Sequence, residues 1–214
     1  MVADHVENAR DPGAALAAIR ILGADTFAPA LLTGAAFPPQ DAEAVALAFT
    51  SAPPSREMPE PPPTGAEGPW VMAWRDWATV TLLTLLTEGA NGELTAPRLP
   101  EPPPGAGHRD GGTGWAAWSV MMGQLSTLAL PGLDGPVHDA ARAAPLGLAR
   151  GASRAVLRGD YPTAARITRW LAWLHADGVR LRLDPAPLVE HLGLMAEGDR
   201  LALDTAIARH LITA

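Results

Sequence analysis

The sequence predicts an all-α protein, a compact multi-helix domain of about eight or nine helices. Its seven tryptophans recur at helical spacing in three groups, Trp70/Trp74/Trp77, Trp115/Trp118 and Trp170/Trp173. Asp-Pro and Gly-Asp pairs stand where helices would begin, and glycine or proline often follows where they would end. No segment alternates apolar and polar residues over a sustained length, and 179–183 is the only strand-like run.

Three short, Ala-rich amphipathic helices are predicted near the N-terminus. Asp11 provides an N-cap carboxylate and Pro12 the first helical position, a combination that favours a helix start. The predicted helices cover residues 14–22, 25–32 and 40–50.

The helix predicted over 69–88 carries the first Trp group. Its three tryptophans lie on one face, and its other faces are rich in valine and leucine. A helix that is apolar nearly all round is normally buried, so we expect this one at the centre of the fold. Pro-rich straps flank it over 51–68 and 89–113, and the first should be extended and partly polyproline II.

Five further helices are predicted, over 114–130, 136–158, 162–176, 185–196 and 201–212. Pro145 is expected to bend the second of these. The last four pair as helical hairpins about Gly159-Asp160 and Gly198-Asp199, which gives a hairpin pair over 136–214. We expect a single domain over 1–214.

Cysteine and lysine are both missing from the sequence. Without cysteine there is no disulfide, thiol nucleophile or thiolate metal site. Without lysine there is no Schiff base and no phosphate-binding lysine of a P-loop. Either codon bias in a GC-rich genome or avoidance of nucleophiles near a reactive electrophile explains this composition.

The charge is unevenly distributed along the chain. The formal net charge of −7 argues against general nucleic-acid binding. Residues 142–182 nevertheless carry 8 Arg against 2 acids, whereas 1–141 carry 6 Arg against 16 acids and 183–214 carry 2 Arg against 5 acids. The polar N-terminus and the charges inside the apolar window 70–87 predict neither a signal peptide nor a membrane span. We expect a cytoplasmic bacterial protein.

The tryptophans have two interpretations. They form a core in which the proline straps lie across indole faces, or they line a cavity for an apolar or cationic small molecule. The candidate ligand-binding residues are Trp70, Trp74, Trp77, Trp115, Trp118, Trp170 and Trp173.

The positive segment contains a row of arginines. Arg150, Arg154 and Arg158 are four residues apart and share one helix face, and Arg166 and Arg169 follow on the next predicted helix. The row is either a solvated face that bridges to the acidic half of the chain, or a docking surface. As a docking surface it would bind an acidic protein, a carrier-bound phosphopantetheine or a phosphorylated ligand, since guanidinium groups bind oxyanions in a bidentate manner.

Three residues are candidates for proton transfer if the protein is an enzyme, namely Asp76, Glu88 and His108. Asp76 lies on a helix that looks buried, so it needs a partner from another element. His108 lies in the second strap, where a loop residue is well placed for function. No histidine pair has metal-binding spacing, and no cofactor motif is recognisable, so neither a metal nor a cofactor is expected.

The leading hypothesis is a non-enzymatic helical binding protein for a protein partner or an apolar small molecule, with an accessory, immunity or resistance role. The alternative is a cofactor-independent cyclase or isomerase that acts on an apolar substrate inside a Trp-lined cavity. A third possibility is a structural subunit of a larger assembly that uses the arginine face.

Overall fold

The computed structural model describes residues 2–55, 58–87, 99–100 and 114–213. It confirms the all-α class, since the described residues form helices and no strand, 179–183 included. The helices α1 to α11 cover Val2–Glu7, Pro12–Leu22, Ala28–Thr33, Pro39–Ser51, Glu67–Leu86, Gly114–Gln124, Pro136–Ala143, Pro145–Leu157, Tyr161–Ala176, Pro185–Leu194 and Asp199–Thr213. Two 3-10 helices, Gly23–Phe27 and Ser126–Leu128, precede α3 and follow α6.

The chain divides into two compact units, residues 1–101 and 102–214. Each unit has its own buried apolar side chains. The single domain expected over 1–214 stays a prediction.

In the N-terminal unit, α2 begins as predicted. The Asp11 carboxylate accepts a hydrogen bond from the Ala14 N–H at 3.1 Å, which satisfies one of the free amides of the first turn. Gly23 ends the helix with a φ of 60°, a backbone angle that suits glycine. The helix predicted over 25–32 is instead a 3-10 helix followed by α3.

Helix α1 was not predicted, because its sequence is short and polar. A carboxylate oxygen of Asp41 in α4 accepts a hydrogen bond from the Ala3 N–H at 2.8 Å. A residue of another helix thereby satisfies an N-terminal amide of α1, so tertiary structure supports a helix too short to be stable alone.

Helix α5 carries the aromatic core of the N-terminal unit, and its expected place at the centre of the whole fold stays a prediction. Trp70 and Trp74 are fully buried, with ring centroids 6.4 Å apart in an edge-on arrangement. Trp77 is half-buried and lies 5.4 Å from Trp74, also edge-on. This geometry is favourable for aromatic pairs.

The helical run Pro12–Thr33 is long and apolar enough by composition to cross a membrane. Half of its most apolar window is buried inside the protein, and Arg20 within the run pairs with Asp76 of α5. Core helices of soluble proteins and signal sequences can have the same length and apolar composition, so the run is weak evidence for a membrane span. The absence of a membrane span stays a prediction.

The first proline strap is not extended throughout. A turn forms at its centre, where the Gly65 N–H donates to the Pro61 carbonyl at 3.0 Å. Of the second strap, only residues 99–100 belong to the described part of the chain.

In the C-terminal unit, α9 is the central helix. It packs against α6, α8, α10 and α11, and most of its residues from Ala164 to Leu174 are buried. The two predicted hairpins are confirmed as α8–α9 and α10–α11. Gly159 and Gly198 make the two turns with φ of 71° and 90°, a region that favours glycine.

Pro145 divides the helix predicted over 136–158 into α7 and α8 and does not merely bend it. The proline occupies the first position of α8, where its missing N–H costs no helical hydrogen bond. Ala144 before it has non-helical backbone angles, φ −136° and ψ 49°, as the residue preceding a proline tends to avoid the helical region. The expected bend is therefore corrected to a break between two helices.

Candidate binding groove

An open groove of about 610 Å³ runs along α8 in the C-terminal unit. Its described lining combines arginines with an apolar floor. The arginines are Arg150, Arg154, Arg158 and Arg182, and the other lining residues are Trp115, Leu146, Ala149, Ser153, Leu157 and Leu183. We call this surface the arginine groove.

Two glycines of α8 allow this helix to pack closely on α6. Gly151 lies so close to Ser119 of α6 that a side-chain methyl group there would overlap the serine. At Gly147 a methyl group would come within 3.2 Å of the Trp118 ring. Arg150, Arg154 and Arg158 of the same helix are exposed to solvent.

The four guanidinium groups of the groove are not neutralised locally. Among the described residues, none of the four has a carboxylate oxygen within 4.0 Å. Arg154 and Arg158 lie at the C-terminal end of α8, where the helix dipole is favourable for cations. The groove is thus a positively charged surface with an apolar floor.

A second hollow of about 360 Å³ adjoins the first. It shares Arg154 and Arg158 with the arginine groove and is walled by Ala116, Ala117 and Val120 of α6. Its described lining includes one acid, Asp160, which caps α9 by accepting from the Thr163 N–H at 3.2 Å. Arg154 and Arg158 therefore stand on a ridge between two concave surfaces.

Arg166 and Arg169 do not join the other predicted partner-binding arginines. Arg169 is fully buried, and its guanidinium donates to the Asp204 carboxylate at 2.8 Å. Arg166 is 4.0 Å from the same carboxylate, and Arg200 donates to it at 2.9 Å. Arg169 has no solvent exposure, and Arg166 does not line the arginine groove. We therefore leave both out of the candidate binding surface.

The tryptophans also divide into buried core residues and one residue of the groove. Trp70, Trp74 and Trp170 have no solvent exposure, and Trp118 and Trp173 have very little. The Trp170 indole N–H donates to the Met122 carbonyl at 2.7 Å, which ties α9 to α6. Trp115 is half-buried and is the tryptophan that lines the arginine groove. The structure therefore assigns most of the indoles to two cores and one of them to the groove.

Asp76 has the cross-element partner that its burial requires. Both carboxylate oxygens accept from Arg20 of α2, at 3.2 Å from Nε and 2.7 Å from the terminal nitrogen. Arg20 also donates to the Ala52 carbonyl and lies over the Phe49 ring, 5.5 Å from its centroid. This bidentate pair holds α2, α4 and α5 together, and such a geometry is typical of a structural ion pair. A catalytic role for Asp76 stays a prediction.

Another buried polar group, which the sequence analysis did not select, is His138 of α7. Its ring has no solvent exposure and lies 4.9 Å from the Trp173 ring and 5.4 Å from the Trp170 ring. Its Nε2 is 3.0 Å from the Leu128 carbonyl, to which it donates. Burial lowers the pKa of His138 below its ordinary value of 6.5, against the opposing effect of that hydrogen bond and of Asp134. His138 is therefore a neutral imidazole at neutral pH.

Arg142 covers the edge of this aromatic cluster. Its guanidinium lies over the Trp173 ring at 4.8 Å and donates to Asp177 at 2.9 Å and to Asp134 at 2.8 Å. The hydrogen bonds that Arg142 donates to these two carboxylates raise its pKa above the ordinary value. The hydrogen bond from Arg142 in turn lowers the pKa of the Asp134 carboxyl. Arg142 is thus a paired cation, whereas the groove arginines have no carboxylate partner within the described part of the chain.

Glu88 and His108 lie outside the described residues. Within residues 2–55, 58–87, 99–100 and 114–213, no three histidine, aspartate or glutamate side chains are placed to hold a metal ion together.

Some residues of the site were not predicted from the sequence, although sequence features pointed to them. His138 falls with Val137 and Ala141 on the one buried stripe of α7, so helical periodicity alone places it on an apolar face. Arg182 lies in the positive segment 142–182 but outside any helix, so it did not belong to the arginine row. Asp204, by contrast, has no local feature that marks it as the partner of Arg169.

No family model, curated protein or solved structure matches this chain.

Proposed function

We propose that this protein is a non-enzymatic binding protein whose C-terminal unit recognises an acidic protein partner through the arginine groove. One observation carries the proposal: four arginines line an open groove without a carboxylate partner among the described residues, above a floor of Trp, Leu and Ala side chains. The cytoplasmic location and the accessory, immunity or resistance role predicted from the sequence belong to the same proposal.

The chemistry of the groove supports such recognition. Arg and Trp are enriched in protein interfaces and over-represented among the residues that dominate binding energy. Arginines that remain unpaired in the free protein attract an acidic partner over a distance and then form charge-assisted hydrogen bonds with its carboxylates. The apolar floor adds affinity through burial of its surface.

The remaining candidate residues support binding over catalysis in a Trp-lined cavity. Trp70, Trp74 and Trp170 are filled core positions, and the Asp76 carboxylate is already engaged by Arg20. The arginine groove is open, whereas a site for an apolar substrate normally encloses its ligand.

The proposal can be tested by measuring the binding of poly-L-glutamate, an acidic probe, by Trp fluorescence or calorimetry. We expect binding that weakens at least several-fold between about 50 and about 300 mM salt, because screening acts on exposed charges. The double variant Arg154→Gln/Arg158→Gln should lose about tenfold or more in affinity, equal to about 1.4 kcal/mol.

Arg180→Gln is the matched control, because Arg180 is an exposed arginine of the same unit that does not line the groove. An equal loss in the control and the double variant would show non-specific attraction. Absence of binding by poly-L-glutamate and by acidic peptides at low salt would overturn the proposed function.

A further inference from the structure

We infer that the partner presents an amphipathic α-helix to the arginine groove, with acidic residues one helical turn apart beside an apolar stripe. This inference rests on the proposed function and specifies the partner. The evidence is the pattern of residues that α8 leaves exposed.

The face of α8 that lines the groove has the periodicity of a helix-pairing surface. Leu146, Ala149, Ser153 and Leu157 follow each other at spacings of three, four and four residues and all line the groove. Leu146 and Leu157 are 11 residues apart, about three turns or 16 Å, and so point in nearly the same direction. The Ser153 hydroxyl donates to the Ala149 carbonyl at 2.9 Å, so this serine needs no polar partner from outside. An apolar stripe with this spacing is the usual contact of one helix with another.

The two leucines at the ends of this stripe are exposed, whereas Ala149 between them is buried. Leu157 is 86% exposed and Leu146 is 41% exposed, although each is flanked by residues of the groove. A single exposed leucine is ordinary, but two on one stripe, beside the half-buried Trp115, form an apolar surface that a partner would cover.

The arginine row runs beside the stripe with the same repeat. Arg150, Arg154 and Arg158 are one turn apart, so their Cα atoms span about 12 Å along the helix. Glutamates four residues apart on a partner helix repeat at the same interval, so that each carboxylate can meet one guanidinium. Flanking charges of this kind set the pairing and orientation of helices in coiled coils. A single phosphate group cannot engage a row of this length.

The test uses the full-length protein and two synthetic peptides of about 20 residues with identical composition. The striped peptide has leucines at the 3-4-4 spacing and glutamates four residues apart beside them. The scrambled peptide keeps a helix-forming sequence but distributes the same leucines and glutamates around all faces. We expect the striped peptide to bind at least about tenfold more tightly, measured by anisotropy of a labelled peptide.

Two pairs of variants locate the contact. Leu157→Gln should lower the affinity for the striped peptide about tenfold. Leu194→Gln should leave that affinity unchanged, since Leu194 is similarly exposed (84%) but belongs to α10. Neither side chain is buried, so both variants should keep the melting temperature. Arg154→Glu should abolish binding, and a peptide with arginine in place of one glutamate should restore it. Arg180→Glu should change little.

Equal binding of the striped and scrambled peptides, still lost in Arg154→Glu, would overturn the helix inference and leave the proposed function intact. Competition by inorganic pyrophosphate at concentrations comparable to the peptide would also overturn it, in favour of a small phosphorylated ligand. Self-association of the protein that Leu157→Gln disrupts would identify a second copy of the chain as the occupant instead. If neither peptide nor poly-L-glutamate binds, both proposals fail.

Discussion

His138 shows how one buried polar side chain can make the C-terminal unit sensitive to pH. The imidazole is enclosed by Trp170 and Trp173, and its Nε2 donates to the Leu128 carbonyl. Its Nδ1 has no hydrogen-bond partner among the described residues. Protonation would place a charge in this apolar site, and burial accordingly lowers the pKa of the ring.

We expect the stability of the protein to fall as the pH is lowered below about 6.5 because of this residue. Its folded-state pKa is lower than the ordinary 6.5, so below pH 6.5 the unfolded chain binds a proton that the folded protein does not. The contribution of His138 to stability is therefore complete above pH 6.5 and is lost as the pH falls toward the folded-state pKa. His138→Gln keeps an N–H donor and cannot titrate, so its unfolding free energy should depend less on pH, as measured by urea unfolding between about pH 7.5 and pH 5.

His175→Gln is the control, because His175 is an exposed histidine of α9. It should keep the pH dependence of the unmodified protein. Identical pH dependence in His138→Gln and in the unmodified protein would contradict the assignment.

At the scale of helices, the contact between α6 and α8 positions the groove. The chain brings Ser119 against Gly151 and Trp118 against Gly147, so the two helices approach closely. Gly123 of α6 is packed in the same manner against Ile167 of α9, within 3.2 Å of where a methyl group would stand. Glycines at such positions allow close backbone approach at a cost in helix propensity.

Gly151→Ala should destabilise the protein by about 1–3 kcal/mol, because the added methyl group overlaps the Ser119 side chain. This loss should be seen although alanine favours a helix by nearly 1 kcal/mol over glycine. Gly68→Ala in α5 is the matched change at a helical glycine with open space around it, and it should be neutral or stabilise by about 0.4–1 kcal/mol. Thermal melts followed by circular dichroism distinguish the two outcomes.

Adding Ser119→Gly to Gly151→Ala should restore most of the lost stability, since it removes the overlapping group. Equal melting temperatures for Gly151→Ala and Gly68→Ala would mean that the helices do not meet at this point.

The starts of capped helices were the most predictable feature of the fold, because their signals are local, whereas the helix predicted over 114–130 ends at Gln124. Asp11, Asp160 and Asp184 each accept a hydrogen bond from an amide of the first turn that follows them. The hydrogen bond between Ala3 and Asp41 joins residues 38 positions apart, so no local sequence feature near α1 predicts that helix. Helix boundaries that depend on distant residues are not readable from a short window of sequence.

At the scale of the whole molecule, arginines have two different roles. The N-terminal unit carries 5 Arg against 13 acids and the C-terminal unit 11 Arg against 10 acids, so all of the net negative charge belongs to residues 1–101. Arg20 and Arg169 pair with buried carboxylates, while Arg150, Arg154 and Arg158 face solvent. The sequence shows the positive segment but not this division, because the partners Asp76 and Asp204 lie 56 and 35 residues away.

Asp204→Asn should destabilise the protein by about 3–5 kcal/mol, because the buried Arg169 would lose the carboxylate with which it pairs. Arg166 and Arg200 would lose the same partner, which adds to the effect. The expected change is a large drop in the midpoint of urea unfolding.

Asp139→Asn is the comparison, since Asp139 is a mostly exposed carboxylate 3.1 Å from Arg142. Surface pairs contribute about 0–1 kcal/mol, so this variant should unfold almost like the unmodified protein. A similar midpoint for both variants would show that the buried pair adds nothing beyond a surface pair.

The hydrogen bond from the Trp170 indole to the Met122 carbonyl has a consequence for the length of α6. Met122 belongs to the last turn of that helix, whose carbonyls have no amide of their own helix to accept from. An indole of α9 therefore serves as a C-terminal cap for α6, and the 3-10 turn Ser126–Leu128 begins just beyond it. The Met122 carbonyl also accepts from the Leu125 N–H at 3.1 Å, so the end of α6 is held both by a local amide and by a side chain 48 residues further along the chain. A peptide of residues 114–128 alone should fray past this point, because the indole that helps to hold its end would be missing.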